Sequence, residues 1–322
     1  MHLPDGILDP KTALLATGAA AAGVGIALRQ VRNTLEPRQV PMLGLAAAFV
    51  LPAQMINFPV IPGIVSGHVV GGVLTAVLLG PSAAVLVITC VLIVQCLMFG
   101  DGGLTALGAN VFNMGIVSVC GGYFVFRLAR RLIRTEGNRA TVFAAAFAGW
   151  FGTVLASISC AGQLALSGIA RWSSAFPAMA LVHMLIGIGE GLATGLITMA
   201  VLRAQPQLVV GARHKSSGSR AGFIGYGLVL SAGLALFVAP FACKWPDGLE
   251  AFINGRSISG QTVPVVSAPL ADYRLPHICS PVAATAVAGL IGTAIAFVAA
   301  YLLARVLVPV LDRSKKDASS GN

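Results

Sequence analysis

Apolar residues run through this chain in long unbroken blocks, separated by short polar islands. Nine blocks stand out, near residues 11–29, 40–57, 68–80, 82–99, 105–131, 141–166, 176–203, 221–242 and 281–310. A helix rises about 1.5 Å per residue, so about 20 apolar residues cross the hydrocarbon core of a bilayer. The third and fourth blocks are short and divided by Gly80-Pro81. They predict a helical hairpin that does not fully cross on one side. A membrane β-barrel would instead alternate over segments of about ten residues. The pattern predicts an all-α polytopic membrane protein, a seven-helix bundle followed by two further transmembrane helices.

Composition agrees. The 322 residues are 57% hydrophobic and 10% charged, where soluble domains carry about 25% charge. The 38 glycines suit close approach of membrane helices. The net charge of +10 could point to nucleic acid, but its distribution argues against that partner. With the N-terminus outside, the inner ends carry Arg29, Arg32, Arg38, Arg127, Arg130, Arg131, Arg134 and Arg139. They also carry Arg203, Arg213, Lys215, Arg220, Arg305, Arg313, Lys315 and Lys316. Only Lys11, Arg171, Lys244, Arg256 and Arg274 fall outside. This positive-inside bias predicts an N-terminus outside and a C-terminus in the cytoplasm, in a multi-pass protein of the plasma (inner) membrane surrounded by lipid. The outer face then gathers Asp5, Asp9, Asp101, Asp247, Glu250 and Asp272, which attract cations.

The organisation follows. Residues 1–205 form the seven-helix part. Residues 206–220 read as a basic, Ser/Gly-rich cytoplasmic linker. Residues 221–312 form a two-helix part with an external loop at 243–280, and 313–322 form a cytoplasmic tail.

The opening MHLPDGILDP places a histidine second. If Met1 keeps a free amine, that amine, the His2 amide nitrogen and His2 Nδ1 close two fused chelate rings. A fourth nitrogen would complete a square plane, which favours Ni(II) or Cu(II) over Zn(II). The donors must be deprotonated, so affinity should fall in acid. A bulky second residue should block methionine removal, and no cleavable signal peptide is apparent. His68, expected at the start of the third helix on the same face, is the best fourth donor. The plainer alternative is an exposed His2 and a helix-capping His68.

MHLPDGILDP, SGHVVGG and LLGPSAAVLVITCVLIVQCLMFGDGGLTALGANVFNMG resemble the nickel/cobalt substrate-binding membrane subunit of energy-coupling-factor transporters, the NikM/CbiM family. The resemblance covers roughly residues 1–205. It implies a metal held by the Met1 amine, the His2 amide and ring, and His68. PDGLE at 246–250 and LADYRLP at 270–276 resemble a PDGLE/NikN-type component fused behind it. Family members divide between nickel and cobalt. Square-planar chemistry mildly favours nickel, while low-spin Co(II) also fits. Transport would then depend on a transmembrane coupling subunit and ATP-binding subunits. No GxxxxGK[ST] and no Gly-Lys pair occurs, so no ATP site is expected in this chain.

Other residues carry paired readings. Gln95, Asp101, Asn110 and Asn113 surround FGDGGLTALGAN and could orient His2 or His68; turn chemistry would explain them equally well. His183 and Glu190 lie seven residues apart on one helical face, as a structural or gating pair. Ala19, Gly23 and Ala27 make a flat face for a partner subunit or for packing at home. Cys243 and Cys279 flank the external loop and could bridge, and His277 with Cys279 is a weak second metal pair. A self-sufficient carrier or channel is the alternative function, but it would show more intramembrane charge and inverted repeats. A membrane protease using Ser167 and His183 lacks its flanking glycine pattern.

Overall fold

A computed structural model describes residues 1–133, 137–209, 220–255 and 264–308. Most of the expected linker, with His214, and the tail at 313–322 lie outside the described residues.

Helix α1 (Pro10–Thr34) begins where its sequence dictates. The Asp9 carboxylate accepts from the Lys11 and Thr12 amides at 2.9 and 3.3 Å, and Pro10 fills a position that needs no donor. Helix α2 (Val40–Met55) is followed by an antiparallel hairpin of β1 (Phe58–Ile61) and β2 (Val65–Gly67). Then come α3 (Gly72–Leu79), α4 (Pro81–Phe99), α5 (Leu107–Leu132), α6 (Asn138–Leu166) and α7 (Trp172–Ala204). The last part contributes α8 (Ala221–Phe241), a short α9 (Gly248–Asn254) and α10 (Pro281–Leu307). Seven of these, α1, α4, α5, α6, α7, α8 and α10, are long and apolar enough to cross a membrane. The protein is an all-α multi-pass membrane protein.

The third apolar block departs from expectation. Its helix starts at Gly72, not at His68. Gly71 adopts φ +72°, a left-handed conformation open to glycine, and breaks the helix there. Hydropathy alone reads 68–80 as one run and does not see that turn. Eight residues rise only about 12 Å, so α3 is a half-length helix. Gly80, at φ +87°, turns the chain directly into α4, as the hairpin reading required.

Glycines set the tightest helix contacts. A Cβ at Gly191 would meet the Ala146 carbonyl at 2.7 Å, so α6 and α7 pack nearly backbone to backbone. One at Gly292 would meet Phe99 at 2.4 Å, and one at Gly44 would meet Phe297 at 3.0 Å. These contacts bring α10 onto α2 and α4. The small-residue face of α1 divides: Gly23 packs on Ile116 of α5 and Ala27 is buried, while Ala19 faces outward.

The first residues do not trail into solvent. Met1, Leu3 and Ile7 are 2%, 0% and 1% exposed, and they wedge the terminus into the bundle. Gly103 makes the close approach possible, because a Cβ there would sit 2.2 Å from the Asp5 amide nitrogen. The Asp5 carboxylate then accepts from the Thr105 amide and hydroxyl at 2.8 and 2.7 Å, and from the Val265 amide at 3.0 Å.

Candidate metal centre

The terminus, the His68 segment and the PDGLE motif converge on one buried point. The Met1 amine lies 2.8 Å from His68 Nε2 and also donates to the Asp247 carboxylate. His68 Nδ1 is 3.0 Å from the Val69 carbonyl. A carbonyl can only accept, so Nδ1 carries the proton and the Nε2 lone pair faces the amine. The His2 and His68 rings face each other at 5.3 Å between centroids, tilted by 33°. Met1, His68, His183 and Asp247 line a cavity of about 10 Å³, room for one water-sized guest.

Asp247 is placed by its own helix. PDGLE folds as a capping box: Asp247 Oδ1 accepts from the Leu249 and Glu250 amides, each at 2.8 Å, and Glu250 accepts from the Asp247 amide at 2.9 Å. That arrangement leaves Oδ2 for Met1. Burial pushes the Asp247 carboxyl up, but the charged terminal amine beside it outweighs this and holds the group well below the usual carboxylate range. The PDGLE segment is also sewn to the hairpin. The Ser66 amide and hydroxyl donate to the Pro246 and Trp245 carbonyls at 2.9 and 2.6 Å.

His2 is kept neutral. Burial lowers its pKa to about 4, against the opposing pull of Asp101 and with help from the terminal amine. Its Nδ1 lies 3.7 Å from Asp101 Oδ1, and its Nε2 is buried without a partner. An unprotonated imidazole is what a metal ligand requires.

The other residues singled out in the sequence take distinct places. Asn110 clamps the backbone next to His2, accepting from the Leu3 amide at 2.8 Å and donating to the Leu3 carbonyl at 3.1 Å. Asp101 accepts from the Tyr273 hydroxyl at 2.6 Å, and Gln95 donates to that hydroxyl at 3.0 Å. Gln95 therefore reaches the His2 region only through Tyr273. Asn113 is not brought to this point; it bonds Gln163 and Ser159 between α5 and α6. His183 and Glu190 do not pair with each other. His183 Nδ1 donates to the Met179 carbonyl at 2.8 Å. Glu190 accepts from the Val70 and Gly71 amides at 2.6 and 3.0 Å, and so fixes the segment that carries His68. Separate backbone partners satisfy each group, which leaves no reason for a direct pair. Cys243 and Cys279 are both free thiols.

Sequence reasoning missed Asp247 and Tyr273 at this centre. For Asp247 a signal existed: D-G-L-E carries the i, i+3 spacing of a capping box, which orients an aspartate. Nothing in LADYRLP announces that its tyrosine reaches Asp101.

The fold and this pocket define a class: a multi-pass membrane component with a buried, ion-sized, nitrogen-rich pocket under its first residues. Comparison with known proteins narrows it. Residues 2–208 match the CbiM family, described as the cobalt uptake substrate-specific transmembrane region, and residues 221–308 match the PDGLE domain. The fused nickel transport protein NikMN of Rhodobacter capsulatus is 33% identical over 304 residues, 87% of this chain and 86% of that protein. The cobalt transport protein CbiM of Sorangium cellulosum is 35% identical over 215 residues, 64% of this chain and 92% of its own. A crystal structure of a truncated transition metal transporter superposes with a TM-score of 0.57 at 33% identity, covering 63% of this chain and 99% of that one. The chain belongs to the CbiM family of cobalt-uptake membrane components and carries a PDGLE domain behind it, as in the NikM/CbiM–NikN fusions. It is a metal-transport component rather than an enzyme.

Proposed function

We propose that this chain captures divalent nickel or cobalt for an ATP-driven energy-coupling-factor uptake system. The observation that carries the reading is the 2.8 Å between the Met1 amine and His68 Nε2. Two nitrogens each about 2.0 Å from one ion and at right angles are about 2.8 Å apart. The metal would replace protons on the Met1 amine and the His2 amide. His2 Nδ1 would close the second chelate ring and His68 Nε2 the square. Asp247, already beside the amine, would balance the charge of the bound cation.

Relatives named for nickel and for cobalt keep both metals in view, and planar nitrogen coordination leans toward nickel. In this reading the Met1 end faces outward, the linker at 206–220 and the tail at 313–322 face the cytoplasm, and 221–312 acts as the NikN-like part. Asp101, Gln95 and Asn110 position His2, and Glu190 positions His68. Energy comes from separate ATP-binding subunits acting through a transmembrane coupling subunit.

The experiment is uptake of radioactive nickel into proteoliposomes. We expect ATP-dependent accumulation only when the coupling and ATP-binding subunits are reconstituted with this chain. Accumulation by the chain alone, without ATP, would instead establish a self-sufficient carrier.

A further inference from the structure

Beside the nitrogen pocket lies a second, far larger space of about 730 Å³. Four carboxylates line it: Asp101, Asp247, Glu250 and Asp272. Among the described lining residues Lys244 is the one lysine or arginine, so this part of the wall favours positive guests. Acidic clustering alone would say little, but one lining residue is more telling. Gln54 is 3% exposed, and its Nε2 donates to the Val70 carbonyl at 2.7 Å. That bond fixes the amide orientation, because a carbonyl cannot accept from Oε1. Oε1 is thereby left buried and without a partner, on a residue that lines the cavity. A buried acceptor left open carries a cost that a donor would relieve, so this wall suits a donor. His2, on a side chain 7% exposed, lines the same cavity.

The guest must bring a positive charge and outward-pointing hydrogen-bond donors. A divalent metal ion still wearing its water shell does both. Six waters at about 30 Å³ each occupy about 180 Å³, which this cavity accommodates and the 10 Å³ pocket does not. We infer that the cavity is a waiting site for the hydrated metal ion, held through its waters by Gln54 Oε1 and the carboxylates. The ion would shed its waters only on passing to the nitrogens. His2, Asp247 and His68 line the cavity, and the last two also line the inner pocket, so the two stations adjoin. Asp247 and Glu250 come from the PDGLE segment and Asp272 from the loop after it. The fused part would thus act by building the entry station. A metal already wrapped in a carboxylate chelator would be neutral or anionic and is disfavoured here by the same charges.

This inference rests on the proposed metal reading, so its test uses a probe that cannot enter the nitrogen site. Hexaamminecobalt(III) does not exchange its ligands and binds only through its N–H groups. We expect the full chain, in a neutral detergent, to bind one such ion per chain by equilibrium dialysis. Affinity should fall about tenfold or more in Gln54→Leu and in the Glu250→Gln/Asp272→Asn double variant. The double variant keeps a hydrogen-bonding group at position 250, which guards against misfolding. Nickel capture rates should fall on the same order in the double variant. An N-terminal extension of about four residues, which turns the Met1 amine into a peptide nitrogen without placing a free amine two residues before His2, should abolish nickel binding yet keep hexaamminecobalt binding. If the extension leaves nickel binding intact, the nitrogen site fails while the waiting site is still judged by its own probe. Absent or variant-insensitive hexaamminecobalt binding overturns the inference, and so does capture of chelated nickel in preference to the free ion.

Discussion

Two of the buried polar clusters among the described residues keep their hydrogen bonds differently. Between α5 and α6, Asn113 donates to Gln163 Oε1 at 2.8 Å. Its own Oδ1 accepts from Gln163 Nε2 at 3.0 Å and from Ser159 at 2.7 Å. That cluster closes on itself. Around the terminus, Gln95 Oε1, Gln54 Oε1 and His2 Nε2 are all buried without a partner. Both clusters read alike as polar residues in apolar surroundings, and both could serve as helix glue. The difference is satisfaction. A closed network holds helices together, whereas one that leaves several atoms open carries a standing cost and has reason to await a guest.

The sharpest way to break the contrast is to move the amine. About four residues added ahead of Met1 turn its amine into a peptide nitrogen and carry the new amine away from His68; a one-residue change would not serve, because a free amine two residues before a histidine is itself a four-nitrogen nickel chelate. Nickel affinity measured by calorimetry should fall by about a thousandfold or more, since the amine nitrogen is lost from the square. A loss of less than tenfold would mean that the open cluster is not the chelate.

Acid should act on the open cluster next. His2 stays neutral to about pH 4 in the folded chain, against about 6.5 when unfolded. Its lowered value therefore adds stability above pH 6.5, and that stability drains away as pH falls from 6.5 toward 4. The whole effect is on the order of 3 kcal/mol. Asp247 is lowered as well, but from a carboxylate value, so its contribution is lost only at lower pH. The melting temperature of the metal-free chain should drop between pH 7 and 4.5, and His2→Asn should flatten that limb. An equally steep limb in the variant would remove His2 as its cause.

Much of this was legible in the residues. The apolar blocks announced the helices, because helical length and bilayer thickness leave few alternatives. Met1, His2 and His68 could be singled out because chelate geometry depends only on adjacent atoms and one further donor. The partners of those atoms could not. Asp247 lies 246 residues from Met1, and Ser66 of the hairpin holds the PDGLE segment close to the terminus. Glu190 looked like a partner for His183 from helical spacing. Its actual partners are backbone amides, which the sequence does not distinguish.

Glu190 offers a subtler test. Its two oxygens take the Val70 and Gly71 amides, two and three residues beyond His68. Glu190→Leu leaves both donors buried and open, and the His68 segment should loosen. Nickel affinity should then fall about 10- to 100-fold, the usual cost of losing a group that positions a ligand. Glu190→Gln keeps one acceptor and should recover most of the loss. Equal losses in both variants would point to the charge of Glu190 rather than its hold on the backbone.

The smallest expected effect on metal comes from the closed cluster, and it carries the contrast furthest. Asn113→Ala removes every bond that Asn113 makes and strands the Gln163 amide between α5 and α6. Stability should fall by about 1–3 kcal/mol, the cost of leaving buried polar groups unpaired. Nickel affinity should stay within about twofold, because no atom of this network touches Met1, His2 or His68. Thermal melts and calorimetry on the same preparation separate the two quantities. A variant that melts early but binds normally would assign Asn113 to the scaffold. One that loses nickel as the N-terminal extension does would mean that the α5–α6 contact sets the pocket, and that hydrogen-bond closure does not separate scaffold from site in this bundle.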